Sequence, residues 1–171
     1  MLCTGKVVAL LRRFPDAVVN IDVGGLGGPI YDRLAEMGYA SRVNPINFGS
    51  SPLGIGPTGD ELYTNRRAEI WDLMRQWFED PAGVQVPDLD DFQGDVCAPI
   101  RGKGATRFDS AGRLLLEDKD HIIERLGYSP DLGDAAALTF AADMSMLLDD
   151  DDEAEAADAM AKYTRTSSTG Y

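Results

Sequence analysis

Histidine and cysteine are scarce in this chain: of 171 residues one is histidine, His121, and two are cysteines, Cys3 and Cys97. The cysteines lie far apart, without a CxxC pair or a histidine cluster. A zinc site is therefore not expected, and two free, buried thiols in a reducing compartment are. His121 sits in a charged stretch and reads as a surface helix residue, not a base. Long apolar runs are also missing. None reaches the roughly 18–20 residues that a membrane span needs, and the N-terminus lacks the apolar core of a signal peptide. Positive charge is the third shortage, with 16 Lys and Arg against 29 Asp and Glu and a net charge of −13. From Asp149 onward seven acids face Lys162 and Arg165, net −5, which leaves −8 on residues 1–148. Such a chain does not bind nucleic acid through general phosphate attraction. An enzyme that holds metal ions against DNA stays open, because such sites are acidic at the centre.

What is present centres on residues 17–28, AVVNIDVGGLGG. An apolar, β-branched run ends in Asp22 and then breaks into glycines. This is the pattern of a parallel strand that delivers a carboxylate to the carboxyl edge of a sheet, where open α/β sheets place their chemistry. Taken alone, Asp22 fits a turn-capping aspartate equally well. GGLGG lacks the GxGxxG spacing of a dinucleotide fold, and no GxxxxGK[ST] occurs.

Around that stretch the chain alternates. Residues 4–14 read as an amphipathic helix with Thr4 as its cap and Val7, Val8, Leu10 and Leu11 on its apolar face. Residues 30–37 read as a second helix ended by Gly38, and 42–48 as a strand interrupted by Pro45, hence towards an edge. A Gly/Pro/Ser loop at 49–59 precedes the strongest helix, 65–79, where Ala68, Trp71, Met74, Arg75 and Phe78 share a face. Trp71 and Trp77 read as core residues. Arg66 and Arg67 open this helix, either exposed, or paired with Glu61 or Glu69, or contacting DNA or an acidic site. A brief strand is expected at 84–86 and a short helix at 88–96. A hairpin follows, turning at Asp109–Gly112, then a helix at 119–126 capped by Gly127. Ser129 and Pro130 open a last helix over 131–147, with a small-residue face at Ala135, Ala136, Ala137 and Ala141. Residues 149–171 are acidic and Ala/Ser-rich, and disorder is expected there.

Asp134 lies one turn into the last helix, after Asp131. An acid among alanines is costly to bury unless paired or bound to a cation. Asp131 alone reads as a first-turn helix acid. Two carboxylates converging from a strand end and a helix start could hold Mg²⁺ through oxygen ligands. Arg101, Lys103 and Arg107, around the hairpin, form the best basic cluster for phosphate contact.

The ordered set IDVGGLGGPIYDRLAEMGY, VNPINFGS, YTNRRAEIWDLMRQWF and ATRFDSAGRLLLEDKDHIIERLGYSPDLGDAAALTFA resembles the nuclease domain of the large terminase subunit of tailed bacteriophages, over about residues 4–142. The resemblance implies an α/β, RNase H-like mixed sheet flanked by helices, with an added C-terminal hairpin and helix. A partial nuclease domain is expected over residues 1–148, with its first strands missing, followed by the acidic tail at 149–171. The resemblance also implies a metal-dependent endonuclease that cuts concatemeric double-stranded DNA with two Mg²⁺ or Mn²⁺ ions during packaging in the bacterial host cytoplasm. Asp22 would be the middle acid and Asp134 the last, with Asp131 an auxiliary ligand or helix cap. Lys119 matches a family lysine that touches a carboxylate or a phosphate. Arg66, Arg67, Arg101, Lys103, Arg107 and Lys119 are the DNA-facing candidates. Partners implied are the terminase ATPase domain or an upstream fragment, the portal and the small terminase subunit, with no membrane. The family's first catalytic acid lies on strands before the helix at Thr4, and this sequence does not hold them. Weak or absent activity of the chain alone is therefore expected, and the competing reading is a non-catalytic scaffold or interaction module.

Overall fold

The computed structural model describes residues 2–54, 56, 59–99 and 108–141. Arg101, Lys103, Arg107 and the acidic tail lie outside them. In chain order the elements are α1 (Leu2–Arg13), β1 (Val19–Asp22), α2 (Gly27–Leu34), β2 (Val43–Ile46), α3 (Arg66–Phe78), α4 (Asp90–Val96), α5 (Lys119–Leu126) and α6 (Asp131–Leu138). A π turn and a 3₁₀ turn join α2 to β2, and a 3₁₀ turn follows α6.

β1 and β2 pair in parallel, with Val19 opposite Val43 and Asp22 opposite Ile46. Parallel neighbours need a crossover, and α2 supplies it. Side chains alternate across β1. Val19 and Ile21 pack with Val8 and Leu11 of α1, Leu34 of α2 and Val43 of β2. Asn20 faces the other way: its Nδ2 donates to the carbonyl of Leu138 in α6 at 2.7 Å, and its Oδ1 accepts from Asn44 at 3.0 Å. The result is helices on both faces of a small parallel sheet. Asp22, two residues on from Asn20, shares the α6 face by the same alternation.

The second core forms where α3 meets α6. Ile70, Trp71 and Met74 pack against Ala137 and Ala141, with Phe78, Val96 and Leu116 around them. The small residues of α6 therefore lie against a helix more than against the sheet. α3 begins at Arg66 because Asn65 caps it, its side chain accepting from the amide of Ala68 at 2.8 Å. α1 ends under Arg42, whose guanidinium donates to the carbonyls of Leu11, Phe14 and Ala17 and satisfies groups a helix end leaves open. The expected turn at 109–112 is present: Asp109 receives the amides of Ala111 and Arg113, Gly112 has φ of 80°, and Phe108 bridges Leu114 antiparallel. Gly127 caps α5 in the left-handed region, as read from the sequence.

Several local expectations fail. Thr4 lies inside α1 and is not its cap, because the helix starts at Leu2. Leu10 is half-exposed, whereas Val7, Val8 and Leu11 pack towards the sheet. Residues 84–86 form no strand, having no ladder partner among the described residues. Both cysteines are free but exposed. The strand expected from residue 17 begins only at Val19.

The turn after Asp22 is tight. A Cβ on Gly27 would stand 2.0 Å from the Asp22 carbonyl oxygen, whereas one on Gly25 would meet nothing within 4 Å. Gly27→Ala is predicted to cost about 2 kcal/mol or more in denaturant unfolding, and Gly25→Ala less than about 0.5. Equal costs would show that the turn does not need the close approach.

Candidate metal and nuclease site

Asp22 ends β1 half-buried. Its Oδ1 accepts the amide of Gly24 at 3.0 Å, the geometry of an Asx turn. The fit there is close, since a Cβ at position 24 would stand 3.1 Å from that oxygen. As it stands, the carboxylate performs the turn-capping role that its sequence context allows.

Asp134 is 5% exposed and lies in the first turn of α6. Its Oδ1 accepts the indole Nε1–H of Trp71 at 3.0 Å and a weaker Nε–H contact from Arg67 at 3.3 Å. Its Oδ2 accepts Lys119 Nζ at 2.9 Å. Two cations and an indole thus offset the cost of burying the charge. Lys119 also reaches the exposed Asp131 at 3.4 Å. Burial would lower the Lys119 pKa, but its hydrogen bond and charge interaction with Asp134, aided by Asp131, raise it on balance. The pair is therefore intact at neutral pH and weakens only as pH climbs through that raised value. The Asp131 pKa is lowered, first by the hydroxyl of Ser129, which donates to its Oδ1 at 2.6 Å, and then by Lys119.

Arg67 ties this site to the chain beyond it. Its Nη1 donates to the carbonyl of Glu117 at 2.8 Å, and its Nη2 is buried without a hydrogen-bond partner. Arg66 turns to Glu69, at 2.5 Å, and to the carbonyl of Ala141 at 2.8 Å. Both arginines are buried. They are not free surface contacts for DNA; of the pairings read from the sequence, Arg66 makes the one with Glu69. Glu61 pairs with Arg113 instead.

Two members of the site were not identified as such in the sequence. Trp71 was read as packing alone. The available signal was that a buried indole N–H needs an acceptor. Asp95 of α4 is buried, and its Oδ2 accepts the amides of Leu132 at 2.7 Å and, more weakly, Gly133 at 3.4 Å. It caps α6 from another helix, the role expected of Ser129. Gly133 permits this approach: a Cβ there would stand 2.8 Å from Trp71 Cη2 and 2.9 Å from the Asp95 carbonyl oxygen.

A divalent ion takes oxygen ligands. Asp22 can offer one from a partly open strand end. Asp134 can offer Oδ2, where Lys119 now donates. Among the described residues no group of three His, Cys, Asp or Glu side chains is placed to hold an ion. The donors therefore fit a metal in part: two carboxylate positions are available, without a completed cluster.

No family model matches the sequence, and no curated protein does. Solved structures do. The nuclease domain of the large terminase subunit gp2 of bacterial virus Sf6 matches with a TM-score of 0.61 and 15% identity, covering 80% of this chain and 70% of that one. The same domain carrying a lysine-to-alanine substitution, with manganese, matches with a TM-score of 0.62 and 14% identity over 80% of this chain and 71% of that one. With manganese and beta-thujaplicinol the values are 0.60 and 15%, over 80% and 70%. The α/β unit that carries Asp22 and Asp134 therefore has the fold of the nuclease domain of a bacteriophage large terminase subunit.

Proposed function

We propose that this chain is the metal-dependent endonuclease domain of a phage DNA-packaging terminase, acting on concatemeric double-stranded DNA in the host cytoplasm. The observation that carries this reading is the shared fold over 80% of the chain with nuclease domains whose structures hold manganese. It is supported by the placement of Asp22 at the carboxyl edge of β1, on the face that carries Asn20 and its bond to α6. Asp22 and Asp134 would be the ligands for Mg²⁺ or Mn²⁺, with Asp131 auxiliary, and a two-metal site would need a further carboxylate from outside the described residues. Such ions supply an activated water and stabilise the leaving oxygen. The chain's own residues do the rest. Trp71 and Arg67 fix Oδ1 of Asp134, so that only Oδ2 can change partner. Lys119 neutralises Oδ2, the oxygen that would face a bound ion, and its part-exposed ammonium would contact a phosphate. Arg101, Lys103 and Arg107 contact the DNA backbone, while Arg66 and Arg67 act indirectly, by holding Glu69 and Asp134. The partners are the terminase ATPase domain or an upstream fragment, the portal and the small subunit.

The second reading, a non-catalytic scaffold, is favoured by one observation: the described residues bring together no three metal-binding side chains. Plasmid nicking with Mn²⁺ separates the two, run with the chain alone and with an added polypeptide carrying the upstream strands. Nicking that is lost in Asp22→Asn and Asp134→Asn is expected. Nicking that survives both would sink the metal assignment, and none from a folded protein under any condition favours the scaffold.

Stability must be measured on the same variants. Asp134→Asn leaves the buried Arg67 and the part-buried Lys119 short of a counter-charge and is predicted to cost about 3 kcal/mol in urea unfolding. Asp22→Asn keeps the turn-capping oxygen and is predicted to cost less than about 1 kcal/mol. Similar costs for the two would contradict the difference in burial. Lys119→Ala should tighten Mn²⁺ binding, followed by electron paramagnetic resonance, by about tenfold. Unchanged binding would show that the lysine and the ion do not compete.

A further inference from the structure

α3 and the stretch 86–97 leave a groove of about 580 Å³ between them. Trp71, Met74 and Phe78 line it from α3, and Val86, Leu89 and Phe92 from the other side. This volume is within the range of specific binding sites. Folding alone does not account for the lip. Leu89 occupies the N-cap position of α4, makes no capping bond and is 57% exposed. A helix start favours Ser, Thr, Asp or Asn there, because their oxygens satisfy its open amides. Val86 beside it is also exposed.

Among the described residues, acids outnumber bases around this apolar floor. Glu79 and Asp88 line the groove, and Asp90 and Asp91 stand exposed in the first turn of α4. Arg75, the cation among the lining residues, is already held by Asp72 and Glu79. DNA is repelled by such a rim. A segment that presents apolar side chains along one helical face, with lysines or arginines beside them, satisfies both the floor and the rim.

We propose that this groove docks an amphipathic, basic helical segment of a partner protein. The inference does not rest on the nuclease reading, since it uses none of the residues assigned to metal or phosphate; Trp71, which holds Asp134, contributes only a wall.

The test uses the full chain at physiological salt and a fluorescent helical peptide with leucines at i, i+3, i+4 and i+7 and lysines elsewhere. Anisotropy is compared with a scrambled peptide of the same composition, and with the Leu89→Asp and Val86→Asp variants. Both variants alter exposed side chains, and an aspartate suits the N-cap at position 89. Each adds negative charge, so attraction to a net charge of −13 would grow. Docking in the groove predicts the reverse: each variant, and the scrambled peptide, binds at least about tenfold more weakly. A second readout is thiol labelling. The peptide should slow modification of Cys97, which lines the groove, and leave the exposed Cys3 unchanged. Binding that is kept or tightened in the variants, equal binding of the scrambled peptide, equal effects on both cysteines, or no binding up to about 1 mM would each overturn the proposal.

Discussion

The carboxylate of Asp134 collects its partners from two segments of the chain. Trp71 and Arg67 reach it from α3, Lys119 from the start of α5, and Arg67 carries on to the carbonyl of Glu117. Removing a charge from water costs several kcal/mol, and good geometry at every lone pair is needed to offset it. The same arrangement recurs nearby. Glu69 receives Arg66 and the amides of Leu53 and Gly54, and Asp95 receives the first turn of α6. The apolar clusters here are small, so these directional contacts are what select one helix arrangement over its neighbours.

A group that holds the fold in this way is constrained as a ligand. Asp134 cannot swing towards an ion without breaking contacts on Oδ1, which leaves Oδ2 and its lysine as the exchangeable part. Asp22 differs in kind. Its turn needs one oxygen, and its exposure leaves the other side of the carboxylate nearer solvent. Of the two acids read from the sequence as metal ligands, Asp134 is a structural keystone and Asp22 a half-buried turn cap.

What the sequence made legible was local. The β-branched run into Asp22, the crossover through α2, the Asp109–Gly112 turn and the glycine cap of α5 are each set by residues within a few positions of one another. What it hid was paid out over distance. Trp71 meets Asp134 across 63 positions, and Asp95 caps α6 across 37. Periodicity marked one face of α3 as apolar, yet Arg66, Arg67, Glu69 and Asp72 are buried as well, around the whole start of the helix, because each finds its counter-charge or acceptor from another turn or segment. No spacing rule in a single sequence announces such pairings.

Pro45 gives the sheet a direction of growth. The Ile46 carbonyl accepts Val23 N–H, so Ile46 turns its backbone to β1 and Pro45, one residue back, turns its own outward. Proline has no N–H to give. A further strand laid alongside β2 would lose a rung at that point. One laid alongside β1 would meet the outward groups of Asn20 and Asp22, neither of them proline, and lose none. Within the described residues the sheet is therefore open on one side only to full pairing, and that side is the one bearing Asp22.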